Sequence, residues 1–230
     1  MDVAAHDLRN PIAVVRASAQ MAQRQITRGD TAAAQGRLAA IVEQSDRVTE
    51  ILETFVDAAR ISAGRLNLRI EPVNLREVIE SATQRGRLLV GERGERTVEV
   101  DAPDECIGHW DRARIARAVR ALLSNALLYG DPGAPVTVAA QAHNGRVVLS
   151  VSGGGRGPDE EESAHLFERF YRGASAAEAG QSGSGLGLFT ARGIAREHGG
   201  DVRRVQGDVF ELELPLARPA RPAEQAQQAT

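Results

Sequence analysis

The chain has 230 residues, 42% hydrophobic and 26% charged, enough for one large domain or for a helical module plus a compact domain, of which two units fit better. A net charge of −3 and a pI near 6.0 give no general basic field, so nucleic acid and anionic membrane are not the expected partners. No apolar run approaches the ~18–20 residues of a membrane span, and Met1 to Asn10 is too polar for a secretory signal, so the chain as given is expected to be soluble.

Residues 1–64 read as a helical hairpin. Leu8, Ile12, Val15, Ala19, Ala22 and Ile26 alternate spacings of four and three, which lines one side of a helix. Residues Thr27 to Thr31 break the pattern. Leu38, Ile41, Ser45, Val48, Leu52, Phe55 and Ala59 then repeat it as a second seam. Two long amphipathic helices seldom bury themselves as a lone pair, so two copies pairing into a four-helix bundle, a homodimer, is expected. A hairpin packed on its own C-terminal domain is the alternative.

His6 stands one residue off this stripe, at its solvent margin, with Asp7 beside it and Asn10 one turn later on the same face. An imidazole attacking a phosphoryl group needs one nitrogen free and the proton of the other held or removed by an acceptor, for which Asp7 is the nearest candidate. Asn10 can orient a water for the reverse, hydrolytic step. Two local structures remain open. Asn10 can cap a helix that starts at Pro11, leaving His6 in a loop, or the helix runs through and Pro11, with no N–H for the carbonyl of Asp7, kinks it.

Residues 65–216 read as an α/β domain. Leu66 to Ile70 alternates as a strand, Asn74 caps a helix to Thr83, and Thr97 to Val100 is a second strand. Cys106, without a CxxC companion, suits a buried hydrophobic role and a reducing compartment rather than a zinc site. Asp111 opens a long helix closed near Tyr129-Gly130. Val136–Ala142 and Arg146–Ser152 form a hairpin about Asn144-Gly145. A helix from about Phe189 to His198 ends at Gly199-Gly200, and strands follow near Asp201–Val205 and Phe210–Pro215. Helices on one face of a mixed sheet are expected. The tail, 217–230, lacks periodicity and reads as disordered.

Three segments carry chemistry. Asn125, among apolar residues in mid-helix, costs stability unless its amide is used, and its carbonyl oxygen suits Mg²⁺, which commonly takes few protein oxygens. Gly153 to Gly157 follows a strand and lets backbone approach a flat ligand. Gly183 to Leu188 leads into a helix, so its N–H groups face any bound phosphate.

Over nearly all of residues 1–216 the chain resembles the sensor histidine kinases of two-component signalling. Ala5 to Pro11 is similar to the phosphoacceptor box, with His6 in the accepting position, Asp7 as its acidic neighbour and Asn10 in the position associated with dephosphorylating the partner regulator. Leu122 to Tyr129 resembles the asparagine box, Val151 to Pro158 the first glycine box, Leu166 to Gly173 the phenylalanine box and Gly183 to Leu188 the second glycine box. The resemblance implies an α+β chain: a two-helix dimerisation and phosphotransfer hairpin (1–64), then an α/β sandwich ATP-binding domain (65–216) with a lid over roughly 172–184. It further implies ATP and Mg²⁺ as cofactors, and a response-regulator receiver domain as partner. A sensor domain would lie upstream or in a separate protein, and the location would be cytoplasmic, in a membrane receptor's cytoplasmic part if there is one. Asn125, Tyr129, Gly155, Gly157, Arg172, Gly183, Gly185, Leu186 and Gly187 are the implied nucleotide-site residues, with Asn125 on the metal.

Three positions depart from the family pattern. The first glycine box normally begins with an aspartate that accepts a hydrogen bond from the adenine amino group; here it is Gly153. Ala121 replaces a second asparagine and Leu128 a basic residue. Loss of a charge-assisted bond at Gly153 is expected to weaken adenine binding by about 10- to 150-fold, and Gly153→Asp to tighten ATP binding several-fold or more. Two functions stay open: an ATP-dependent kinase phosphorylating His6, with phosphatase activity towards its regulator, or a degenerate dimeric scaffold, phosphatase or phosphotransfer protein.

Overall fold

The computed structural model describes residues 2–89, 96–173 and 183–217, with side chains from residue 7 and, in the first of these segments, to residue 84. Helix α1 (Asp2–Thr27) runs without a break through Pro11, so Asn10 is no cap and His6 lies within a helix. The side chain of His6, the greater part of the expected lid and the expected tail beyond residue 217 fall outside the described residues. After a three-residue turn with Gly29 at φ +78°, α2 (Thr31–Ser62) returns, its first turn capped by Asp30, which accepts the N–H of Ala33 at 3.1 Å.

The inner seam of the hairpin is rotated from the expected stripe. Pro11, Ser18, Ala22 and Ala34 are buried, together with Asp7 at 9% exposure. Ile12 and Ile26, read as seam residues, are 54% and 59% exposed. Small residues let the two backbones approach, which leaves the larger side chains outside. Leu38 and Leu52 of the second stripe also remain exposed.

Strand β1 (Glu71–Asn74) follows a non-regular stretch where a strand was expected at Leu66–Ile70, and pairs antiparallel with β3 (Ile107–Trp110). Helix α3 (Leu75–Leu89) starts with Asn74 Oδ1 accepting the N–H of Arg76 at 3.1 Å. A five-stranded mixed sheet carries the rest. Its order is β2 (Val98–Asp101), β4 (Val136–His143), β5 (Arg146–Ser152), β7 (Phe210–Pro215), β6 (Asp201–Arg204), with only β2 and β4 parallel. Asn144 and Gly145, at φ 49° and 72°, turn the β4–β5 hairpin. Helices α3, α4 (Arg112–Tyr129) and α6 (Gly187–Glu197) bury Ile79, Ile115, Leu122, Leu123 and Ile194 in one core with sheet residues Leu149, Leu212 and Leu214. Burying each such side chain stabilises the fold by about 1.5–3 kcal/mol. The short α5 (Glu160–His165) begins at Asp159, which accepts the N–H of Glu162. Cys106 is buried, and burial raises its thiol pKa.

The domain docks on α2 through charge and close packing. Arg117 bridges Asp57 and Glu53, Arg114 lies 3.6 Å from Asp57, and Arg120 pairs with Glu50 at 3.2 Å. A Cβ at Gly193 would come within 2.6 Å of the Ile61 side chain, so a larger residue there would require Ile61 to shift.

His198 is fully buried: its Nδ1–H donates to the carbonyl of Ile194 at 2.8 Å, and its Nε2 accepts the N–H of Asp111 at 2.9 Å. That pairing requires the neutral ring, and burial lowers its pKa. The unfolded chain takes up a proton near pH 6.5, whereas the folded chain does so only at lower pH, so stability present above about pH 6.5 is lost as pH falls. The unfolding midpoint should therefore drop between about pH 7 and pH 5, and His198→Gln should flatten that slope. An unchanged slope in the variant would remove His198 from this role.

Candidate functional site

One cavity of about 800 Å³ lies where α2, α4, the start of α6 and the loops after β5 and α5 meet. Of the nucleotide-site residues expected from the sequence, it is lined by Asn125, Tyr129, Gly157, Arg172, Gly183, Gly185 and Gly187. Gly155 and Leu186 are not on its surface. Leu186 is fully buried and takes the N-cap position of α6, and the N–H of Gly155 donates to Asp208 Oδ2 at 2.8 Å. Asp7 and Asn10 do not line the cavity. Their helix is tied to it indirectly: His6 lies 21 residues before the end of α1 and Leu52 lies 21 residues after the start of α2, so the hairpin sets them level. Glu50, Ile51 and Thr54, around that level of α2, line the cavity.

The glycines are demanded by geometry. Gly157 has φ +72°, and a Cβ there would lie 2.0 Å from the carbonyl oxygen of Gly207; Gly185 has φ +67°, and its Cβ would lie 2.6 Å from the carbonyl oxygen of Tyr171. At α6, Leu186 gives no side-chain cap, so the first-turn N–H groups and the positive end of the helix dipole are left for a ligand. The amide of Asn125 makes no side-chain hydrogen bond among the described residues, and Thr190 Oγ1, buried at the cavity wall, also has none. Orphaned polar groups beside a glycine cradle fit a polar ligand.

Charge around the cavity favours an anion. Arg47, Arg96, Arg117, Arg120, Arg156 and Arg172 stand against the acids Glu50, Glu162 and Asp208. Leu128, where a basic residue was looked for, is an exposed part of the same wall, and Arg120 and Arg172 bring positive charge from elsewhere. No cluster of His, Cys, Asp and Glu able to hold a metal occurs among the described residues, so a cation here would rest on Asn125 and on the oxygens of a bound phosphate.

Two residues missed in the sequence shape the end of the cavity at the first glycine segment. Arg96 donates to the carbonyls of Ala126 (2.9 Å), Leu127 (3.2 Å), Ala134 (2.9 Å) and Gly153 (2.6 Å), tying the end of α4 to the end of β5. Asp208, from the loop between β6 and β7, places its carboxylate in the first glycine segment: Oδ2 accepts the N–H groups of Gly153 and Gly155, each at 2.8 Å, and Oδ1 accepts the hydroxyl of Ser152 at 2.8 Å. Asp208 is 55 residues from Gly153, and no local pattern announces it.

Two family models match the chain: the His Kinase A (phospho-acceptor) domain over residues 1–64, and the histidine kinase-, DNA gyrase B- and HSP90-like ATPase over residues 110–218. The sensor histidine kinase TrcS of Mycobacterium tuberculosis is 32% identical over 226 residues, covering 93% of this chain and 42% of that protein. The chain thus spans less than half the length of that curated relative. Among solved structures, the Acinetobacter baumannii histidine kinase AdeS superposes with a TM-score of 0.61 at 20% identity, over 92% of this chain and 98% of that one. The mycobacterial sensor histidine kinase MprB gives 0.54 at 28% identity, over 65% and 99%. No helix among the described residues is long and apolar enough to cross a membrane.

Proposed function

The chain belongs to the sensor histidine kinases of two-component signalling, and on that premise we propose that it transfers the γ-phosphoryl group of ATP to His6 and from there to an aspartate of a response-regulator receiver domain. The observation that carries this reading is the convergence of Asn125, the constrained glycines Gly157 and Gly185 and the uncapped start of α6 on one arginine-lined cavity bordering α2 at the level of His6. The free imidazole nitrogen of His6 attacks the γ-phosphorus, the bond to the bridging oxygen breaks, and ADP leaves. Asp7 holds the proton on the other ring nitrogen, so the developing imidazolium is stabilised. The N–H groups at Gly187 and the arginines Arg120 and Arg172 orient the phosphates, and positioning with charge stabilisation supplies most of the acceleration. Mg²⁺ held at Asn125 would offset phosphate charge. Asn10, exposed on α1, is free to place water for hydrolysis of the regulator's phosphoaspartate. No observation favours the degenerate scaffold.

Incubation of the chain with γ-labelled ATP and Mg²⁺ should give acid-labile, alkali-stable label that passes to an added receiver domain. Label that is acid-stable or fails to form would refute the proposal.

The exposed apolar residues Leu38, Val42, Leu52 and Val56 on α2, with Ile12 and Met21 on α1, suit a second copy completing a four-helix bundle. Leu52→Asp should turn a dimer into a monomer in sedimentation at micromolar concentration, since an unpaired charge in that seam costs several kcal/mol, roughly 3 or more. A native chain that stays monomeric when concentrated would contradict the bundle.

A further inference from the structure

We propose that Asp208 accepts the hydrogen bond of the adenine 6-amino group, supplying from the β6–β7 loop the carboxylate that the first glycine segment lacks at Gly153. The inference rests on the reading of the cavity as an ATP site and concerns how that site recognises its base.

Asp208 lines the cavity, and its carboxylate is held by three donors: the N–H groups of Gly153 and Gly155 on Oδ2 and the Ser152 hydroxyl on Oδ1. A carboxylate offers about four acceptor positions, so this arrangement leaves one, on Oδ1. No cation pairs with Asp208 among the described residues, which keeps that position open to a neutral donor. The loop is itself fixed. Arg204 Nε donates to the carbonyl of Gly207 at 2.6 Å, the N–H of Val209 reaches the carbonyl of Gln206 at 2.9 Å, and the Gly207 carbonyl sits where a Cβ of Gly157 would be. The carboxylate is thus pre-positioned before any nucleotide arrives, and the ligand meets no ordering cost there.

An aspartate at position 153 has no room. Its Cβ would fall 2.4 Å from the carbonyl oxygen of Ala126 and 2.8 Å from the Cα of Gly130, both backbone atoms. Base recognition from the strand end is therefore sterically closed in this chain.

Calorimetry on the full chain with ATP and with purine riboside triphosphate, which lacks the 6-amino group, tests the assignment. The native chain should bind ATP about 10-fold or more tightly than the analogue, the effect of one hydrogen bond to a charged acceptor. Asp208→Asn keeps the side chain's shape: its amide oxygen can take the two glycine N–H groups, while its NH₂ faces Ser152 and presents no acceptor to the base. ATP affinity should fall to that of the analogue, with the analogue's affinity unchanged. Equal binding of ATP and the analogue by the native chain overturns the proposal without recourse to a variant, as does tighter binding of GTP than ATP. A variant that weakens both ligands alike makes Asp208 a clamp on the glycine segment and also overturns it. Failure of the native chain to bind either nucleotide is a different result, which removes the ATP-site reading and this inference with it.

Discussion

His6→Gln is expected to abolish incorporation of phosphate from ATP, reducing acid-labile label to background while leaving ATP affinity unchanged. Glutamine is a good helix former, so the unbroken run of α1 through Pro11 should persist. It carries no nucleophilic nitrogen, because its amide lone pair is delocalised, and the transfer step loses its acceptor. The cavity proposed to take the nucleotide, lined by α2, α4 and the glycine segments and by none of residues 7 to 10, should be undisturbed. Autoradiography after alkaline electrophoresis reads the first effect and calorimetry with ATP the second. Asn10→Ala should retain label on His6 and slow dephosphorylation of the receiver domain. Label persisting in His6→Gln would move the acceptor elsewhere, and a parallel loss of ATP binding would mean that the substitution acts through the fold.

The order of elements from α4 to β7, the short α5 excepted, was legible because each of the others carries a local signal. Asp111 before the helix, Asn144-Gly145 in the hairpin and Gly199 after α6 are positions where backbone chemistry leaves few choices. The start of the α/β domain was not. Leu66, Leu68 and Ile70 alternate like a strand, but the segment pairs with no strand among the described residues: Leu66 drops into the core, and the N–H of Arg69 goes to Asp111 Oδ2 at 3.0 Å. The alternation reports burial of an extended chain, not sheet pairing. The true β1, Glu71–Asn74, contains Pro72 and, among the described residues, pairs with the four-residue β3 alone. In the hairpin, small residues such as Ser18 and Ala22 mark the seam between α1 and α2, while the larger Ile12, Leu38 and Leu52 of the periodic stripe stand exposed. Asn125 and the glycine cradle were readable as motifs. Asp208 and Arg96 were not, because each acts on backbone groups brought together only by the fold, and a loop carboxylate looks like any solvated acid until its partners are known.

Gly153→Asp, which the sequence alone presents as a repair, is expected instead to destabilise the domain and to weaken ATP binding. The new Cβ would overlap the Ala126 carbonyl and the Gly130 Cα, neither of which is the end of a flexible side chain. Forcing extra atoms into such a contact costs about 1–3 kcal/mol. Relief would require β5 and α4 to part, but Arg96 holds their ends together, and the N–H of Asp131 adds a bond to the Gly153 carbonyl at 3.0 Å. A second carboxylate beside Asp208 would add like-charge repulsion in a partly buried site. At roughly 2 kcal/mol the unfolding midpoint should fall by about 4–8 °C for a domain of this size. Thermal unfolding of the native and substituted chains measures the first effect, and ATP calorimetry below both midpoints measures the second. Unchanged stability with tighter ATP binding would mean that the backbone yields, that the strand end can read adenine after all, and that the carboxylate of Asp208 serves the loop rather than the base.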